Sequence, residues 1–258
     1  MSFSCPARIY TIKIPFLKDN PFRKNCDIEF NQFMYNIIYK NNFNEYITDD
    51  DVIKSEKFLF FNDSIRYLMT RVFIKKILSK ELNLSHDLIQ FSYGKYKKPF
   101  LNLNNLKKNI YFNVSHSREY IAIATSFIGE IGIDIEYKDF SINFDLMKSQ
   151  FFSDFEEKYF NQLENENDKV NYFYRIWSLK EAILKGIGVG LFYSPNLLSV
   201  LSSNSLQTKI INLSVCDQEE NFSSWINYII DFNDSYALAF SHKGELQKYE
   251  TIYLDYSN

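Results

Sequence analysis

A chain of 258 residues that is 46% hydrophobic, 18% aromatic and −3 in net charge has room for a sizeable core and is neither a disordered segment nor a general nucleic-acid binder. No apolar run is long enough to span a bilayer, and residues 1–16 mix lysine and arginine among apolar residues without a signal-peptide core. Cys5, Cys26 and Cys216 are odd in number and far apart, which argues against a disulfide framework or a cysteine zinc site and predicts a reducing, cytoplasmic setting.

Charge is unevenly placed. Residues 1–130 carry 19 Lys+Arg and 13 Asp+Glu, a balance of +6, whereas 131–258 carry 10 and 19, a balance of −9. A basic half beside an acidic half suits a polyanionic ligand held together with a metal, although chance drift gives the same numbers. In chain order, Ile9–Ile14 reads as a strand, and Asp49–Phe60 and Ser64–Leu78 read as helices. Gly94–Phe100 is a basic turn. Ile110–Val114, Glu119–Ser126 and Ile131–Tyr137 read as strands. A capping box, Ser153 with Glu156, opens a helix to Gln162, which gives Glu156 a structural role. The apolar stretch Phe140–Phe155 serves as core or as a docking face for a partner helix. An Asn/Glu-rich turn leads into a helix over Val170–Lys185, and Trp225–Phe232 and Ser235–His242 are strands. The last dozen residues are expected to be loosely held.

Each long helix precedes a short apolar strand with a Tyr-apolar-Ala core, at Tyr120 and at Tyr236. This reads as an internal pseudo-repeat with a boundary near Ile128–Ile131, or as two ordinary α+β units. Strands and helices mix without regular βαβ alternation, which predicts α+β.

Gly132-Ile-Asp-Ile-Glu136 alternates strictly, so as a strand it puts Asp134 and Glu136 on one face. Four-residue spacing puts Trp177, Glu181 and Lys185 on one side of their helix. Three carboxylates and a lysine then meet. Hard oxygen ligands suit Mg²⁺, and Mg²⁺ suits phosphate chemistry. A solvated acidic strand face and a surface Glu-Lys pair are the bland readings of the same residues. Lys180 sits off the helix line, placed to reach a neighbouring phosphate. Gly186, Gly188 and Gly190 close a helix instead of opening one, so no Rossmann loop is present; Gly186 is expected as the C-cap. Phe112-Asn-Val-Ser-His-Ser117 ends a strand in two hydroxyls and an imidazole suited to phosphate, or holds a structural histidine.

Together these stretches resemble the Sfp-type 4'-phosphopantetheinyl transferases. The family's ordered motifs are a G-K-P turn, F-N-x-S-H-S, G-[IV]-D-[IV]-E, F-F-S-x-x-E and W-S-x-K-E-x-x-x-K. Lys98-Pro99, Phe112–Ser117, Gly132–Glu136, Phe151–Glu156 and Trp177–Lys185 follow that order. The resemblance implies a monomeric pseudo-dimer of two similar α+β halves. Residues 1–129 would form the half contacting the coenzyme A nucleotide, and 130–258 the half with the Mg²⁺ carboxylates and the carrier dock. Asp134, Glu136 and Glu181 would bind Mg²⁺ with the coenzyme A pyrophosphate. Ser115, His116, Lys98 and Lys75 would hold the 3'-phosphate and adenine nucleotide. Lys185 would assist the departing phosphate, Lys180 would help balance phosphate charge, and Glu181 or a metal-bound water would be the base. The partner would be an apo carrier protein, with neither nucleic acid nor membrane involved. The chain departs from the pattern at Lys97, where the family usually has glycine, so that Lys95 competes with Lys98 for the turn lysine's role. It departs again at Lys75, where arginine is usual. A metal-dependent phosphohydrolase and a non-catalytic binder of coenzyme A or carrier domains are the alternatives.

Overall fold

The computed structural model describes residues 5–14, 36, 38, 41–101, 109–190, 193–200, 207–209, 212–213 and 224–255; Cys26 and Cys216 lie outside them. The chain forms two compact units, one of Met1–Tyr10, Ser92–Ser117 and Ala122–Ile252, the other of Thr11–Phe91, Arg118–Ile121 and Tyr253–Asn258. These units do not follow the expected halves 1–129 and 130–258. The structure is α+β, and among the described residues no helix is long and apolar enough to cross a membrane.

The smaller unit is built on helices α1 (Asp49–Glu56) and α2 (Phe61–Leu82). Thr48 and Asp51 close a capping box at the start of α1, where the acidic run Asp49–Asp51 also suits the positive end of the helix dipole. Asp51 then reaches α2, accepting from Tyr67 Oη at 3.0 Å and from Arg71 Nε at 2.8 Å. Burial works to raise the Asp51 pKa, but the Arg71 charge and the bonds from Thr48 and Tyr67 hold it below the usual range. Ile65, Leu68, Met69 and Val72 form the buried stripe of α2. Asn83, at φ 53°, ends the helix in the left-handed conformation that asparagine tolerates.

Two short strand pairs, β2 (Phe91–Tyr93) with β3 (Pro99–Leu101) and β7 (Leu198–Ser199) with β9 (Asn212–Leu213), accompany two larger sheets. The larger unit holds the antiparallel sheet β6 (Ile131–Tyr137), β11 (Tyr236–Lys243), β10 (Trp225–Ile230) and β8 (Gln207–Lys209), in that spatial order. A second sheet runs β12 (Glu250–Asp255), β1 (Ala7–Lys13), β5 (Tyr120–Ser126), β4 (Tyr111–Ser117), with all of β4 and most of β5 in this unit. The chain end expected to be loose therefore supplies a strand, β12. Helix α5 (Glu166–Ile187) lies on β6, β11 and β10. Two helices precede it, α3 (Phe144–Phe151) and α4 (Asp154–Phe160). Phe144, Phe152, Phe160 and Phe173 form one buried cluster joining α3, α4 and α5, with Trp177 packed on Phe151 at 4.2 Å between ring centres.

Two features set how closely α5 approaches β6. Asp134 and Glu136 stand opposite Ala239 and Ala237 on β11, small neighbours that leave space above the sheet. Gly132 meets α5 directly: a Cβ there would lie 1.9 Å from the Ala182 carbonyl oxygen and 2.4 Å from the Gly186 nitrogen. Gly186 is thus a buried packing residue inside the helix, and the C-cap is Gly188 at φ 89°. The expected C-cap moves by two residues because close contact, not conformation, requires the first glycine. Gly132→Ala should cost at least about 1–3 kcal/mol in urea denaturation, as overpacked cores do. Unchanged stability would mean that α5 can slide on β6.

Candidate active site on strand β6 and helix α5

Strands β4 and β6 are each at the edge of a sheet and meet through side chains. Alternation puts Asn113, Ser115 and Ser117 of β4 on one face, and each contacts β6. Asn113 Oδ1 accepts from Ile133 N at 3.1 Å, and Ser117 Oγ accepts from Tyr137 N at 2.9 Å. These bonds satisfy two backbone donors of β6 that a lone edge strand would leave open. Between them, Ser115 Oγ donates to Asp134 Oδ1 at 3.0 Å. Ser117 Oγ donates to Glu136 Oε2 at 3.2 Å.

Lys185 comes down from α5 onto the same point. Its Nζ donates to Asp134 Oδ1 at 2.6 Å and to Ser115 Oγ at 2.9 Å. Lysine, aspartate and serine close a triangle, with Asp134 fully buried. Among the described residues, Asp134 Oδ2 and Glu181 Oε1 are both buried without a hydrogen-bond partner. Burial, and then the charges of Asp134 and Glu181, push the Glu136 pKa up to about 7, against the opposing pull of Lys185 and Ser117. Glu181 is also raised, chiefly by burial and further by Asp134, with Lys185 opposing. For Lys185, burial disfavours the charge, but the Asp134 bond and charge, with Glu181 and Glu136, together outweigh it and raise the pKa.

The consequence for stability has a definite sign. An acid whose pKa is higher folded than unfolded keeps its proton longer in the native state, so rising pH favours the unfolded chain. The metal-free protein should therefore lose stability as pH rises from 4.5 to about 7. Glu136→Gln should flatten that part of a thermal-unfolding profile; an unaltered slope would remove Glu136 as its origin.

The other expected site residues are dispersed. His116 follows Ser115 on β4 and so points to the opposite face, where it is exposed. Ser115, expected at the nucleotide, has its hydroxyl engaged by Asp134 and Lys185. Lys180 is held elsewhere than at the Asp134 cluster. It is 1% exposed, and its Nζ donates to Glu156 Oε2 at 2.5 Å, Phe151 O at 2.5 Å and Pro195 O at 3.0 Å. An ammonium has three protons, and three acceptors use them all, so none is left for a phosphate. Lys75 lies in the other compact unit, 7% exposed, where burial lowers its pKa against the opposing charge of Asp51.

Lys98 donates to the Gly186 carbonyl near the C-terminus of α5. With Lys95, Tyr96, Tyr111, Phe112 and Gly188 it lines a cavity of about 440 Å³, a ligand-sized space. Lys97 has φ 65°, so the backbone uses the left-handed conformation at the position where the resemblance expects glycine.

Asp134, Glu136 and Glu181 lie within electrostatic reach of one another around Lys185. Among the described residues no three His, Cys, Asp or Glu side chains are close enough to hold a metal. The Lys185 ammonium supplies the local positive charge. Sequence reasoning overlooked Asn113 and the Ser115 bridge, although alternation along β4 and β6 carried the signal.

A family model for the 4'-phosphopantetheinyl transferase N-terminal region matches 39–128, and one for the 4'-phosphopantetheinyl transferase superfamily matches 130–241. The chain is 30% identical over 145 residues to a putative 4'-phosphopantetheinyl transferase of Synechocystis sp., covering 56% of this chain and 58% of that protein. It is 32% identical over 155 residues to a 4'-phosphopantetheinyl transferase of Aneurinibacillus migulanus, covering 60% and 61%. It is 34% identical over 146 residues to the L-aminoadipate-semialdehyde dehydrogenase-phosphopantetheinyl transferase of Mus musculus, covering 52% and 46%. The matched part thus spans between about half and three fifths of these relatives' own length. Adjacent matches to two models of one family, over most of the sequence, show that this chain belongs to the 4'-phosphopantetheinyl transferase superfamily.

Proposed function

We propose that this chain transfers the 4'-phosphopantetheine group of coenzyme A to a serine of an apo carrier protein, in a Mg²⁺-dependent reaction that releases 3',5'-ADP. The observation that supports it most is the cluster of Asp134, Glu136, Glu181 and Lys185, joined where α5 crosses β6. Its donor set fits a divalent cation. Two buried carboxylate oxygens, Asp134 Oδ2 and Glu181 Oε1, have no partner among the described residues, and burial, followed by the Asp134 charge, drives Glu136 towards its protonated form. Asp134, Glu136 and Glu181 would hold the ion, whose bound charge would offset that of the pyrophosphate in the transition state.

In the transfer the carrier's serine oxygen forms a bond to the phosphorus bearing pantetheine, and the bond from that phosphorus to the bridging oxygen breaks. The serine proton has to leave, because a neutral hydroxyl is a poor nucleophile. Glu181, one helical turn before Lys185 on α5, is the residue suited to accept it. Lys185 balances charge on the departing oxygen of 3',5'-ADP. Lys98 and Lys95, lining one cavity, offer cationic contacts for the nucleotide. The protein would act as a monomer in the cytoplasm, its two family segments being carried on one chain.

The deciding experiment incubates the protein with coenzyme A, Mg²⁺ and several apo carriers and follows the carrier by mass spectrometry. A phosphopantetheine adduct on serine, absent without metal, is the expected result. Hydrolysis of coenzyme A with water alone, and no adduct, would replace this reading by a phosphohydrolase.

A further inference from the structure

We infer that Lys185 occupies the cation's place on Asp134 in the metal-free protein and has to leave that carboxylate before the ion can bind, so that cation entry delivers its ammonium to the substrate. This rests on the proposal that Asp134, Glu136 and Glu181 hold the divalent ion. It adds a competition between the catalytic lysine and that ion.

The contacts leave little room for sharing. Asp134 Oδ1 accepts from both Lys185 Nζ, at 2.6 Å, and Ser115 Oγ, at 3.0 Å, which fills its two lone-pair directions. A Mg²⁺ ion binds carboxylate oxygen at about 2.0–2.1 Å and tolerates little distortion. An ion at that oxygen and an ammonium at hydrogen-bond distance would exclude one another. The second oxygen, Oδ2, is buried and unpartnered, so it is the first foothold for the ion. An ion at Oδ2 still shares a carboxylate with a full positive charge.

Lys185 has somewhere to go. Its side chain is 29% exposed, whereas that of Asp134 is 1% exposed, so the lysine is the partner of the pair with solvent beside it. Lys185 also follows Glu181 by one helical turn, and an ion drawn to the unpartnered Glu181 Oε1 would approach it along the same helix face. Ser115 links the two states: its oxygen accepts from Lys185 while its proton goes to Asp134. Loss of the ammonium leaves the serine still oriented on the carboxylate, which keeps the ligand in place.

The test measures metal binding directly, without substrate. Mn²⁺ is titrated into wild-type protein, Lys185→Met and Lys185→Arg, and free Mn²⁺ is read by its electron paramagnetic resonance signal. Lys185→Met should bind Mn²⁺ at least about tenfold more tightly than wild type, despite being inactive, and Lys185→Arg should not. Equal or weaker binding by Lys185→Met, with measurable binding by wild type, would overturn the competition while leaving the carboxylate site intact. No Mn²⁺ binding by any of the three would overturn both the site and this inference. A second measurement avoids substitution. Wild-type protein is labelled with an amine-acylating reagent with and without Mg²⁺, and Lys185 labelling is quantified by peptide mass spectrometry. Displacement should raise that labelling several-fold, and a fall or no change counts against it.

Discussion

Glu181→Gln is expected to lower phosphopantetheine transfer by about 10²–10⁴-fold, the range for loss of a positioned general base, while the protein stays folded. Glutamine keeps the shape of the side chain and removes its charge. In the metal-free site the ionised form of Glu181 is disfavoured on balance, since burial, with Asp134, outweighs the attraction of Lys185. Removing the charge should therefore leave stability unchanged or slightly raised. Activity then falls without a loss of stability, which a merely structural glutamate would not produce. Lys185→Ala makes a useful contrast. It should lose turnover as severely, but it strips a buried Asp134 of its ionic partner and should lower stability as well. Turnover of Glu181→Gln within a few-fold of wild type, measured at saturating Mg²⁺ and coenzyme A, would remove Glu181 from both the base and metal-ligand roles.

What was legible in the sequence was periodicity. Strict alternation in Gly132–Glu136 placed the acids on one face of β6, whose bounds Ile131–Tyr137 match the predicted strand. Four-residue spacing brought Glu181 and Lys185 to one side of α5. Less visible was which faces become buried. The position of Lys180 off the Glu181–Lys185 line suggested reach to a neighbouring phosphate, but Val170, Phe173, Ile176, Leu179 and Ile183 show that α5 is enclosed over much of its circumference. A residue leaving one face of such a helix enters another packed layer. The same alternation that located Asp134 should have separated Ser115 from His116, because neighbours on a strand cannot share a face. Helix α3 was missed because Leu146, 73% exposed, breaks the inward apolar pattern in an element of only eight residues. Strand β12 carries no strong signal of its own and depends on a partner, β1, some 240 residues earlier in the chain.

Glu156→Ala should be the most destabilising single change among these residues, costing about 3–5 kcal/mol, the scale for stranding one member of a buried ion pair. Both side chains are almost wholly buried, Lys180 at 1% and Glu156 at 0% exposure. Glu156 accepts more than the lysine: Oε1 takes Val200 N at 2.9 Å and Oε2 takes Ser153 N at 2.8 Å. Alanine would leave two backbone donors and an ammonium without their acceptor. Lys180→Met is the gentler break, because Glu156 keeps both backbone bonds, so the order of loss should be Glu156→Ala before Lys180→Met. The pH dependence distinguishes charge from packing. Burial already depresses the Lys180 pKa, with Glu156 opposing. Without Glu156 it falls further, and a lysine neutral when folded but charged when unfolded makes stability rise with pH towards the unfolded lysine pKa of about 10.4. Urea denaturation of both variants across that range tests this. Transfer by Lys180→Met, assayed where it remains folded, should stay within a few-fold of wild type. A loss of 10²-fold or more would return Lys180 to the phosphate role that its three buried contacts deny it.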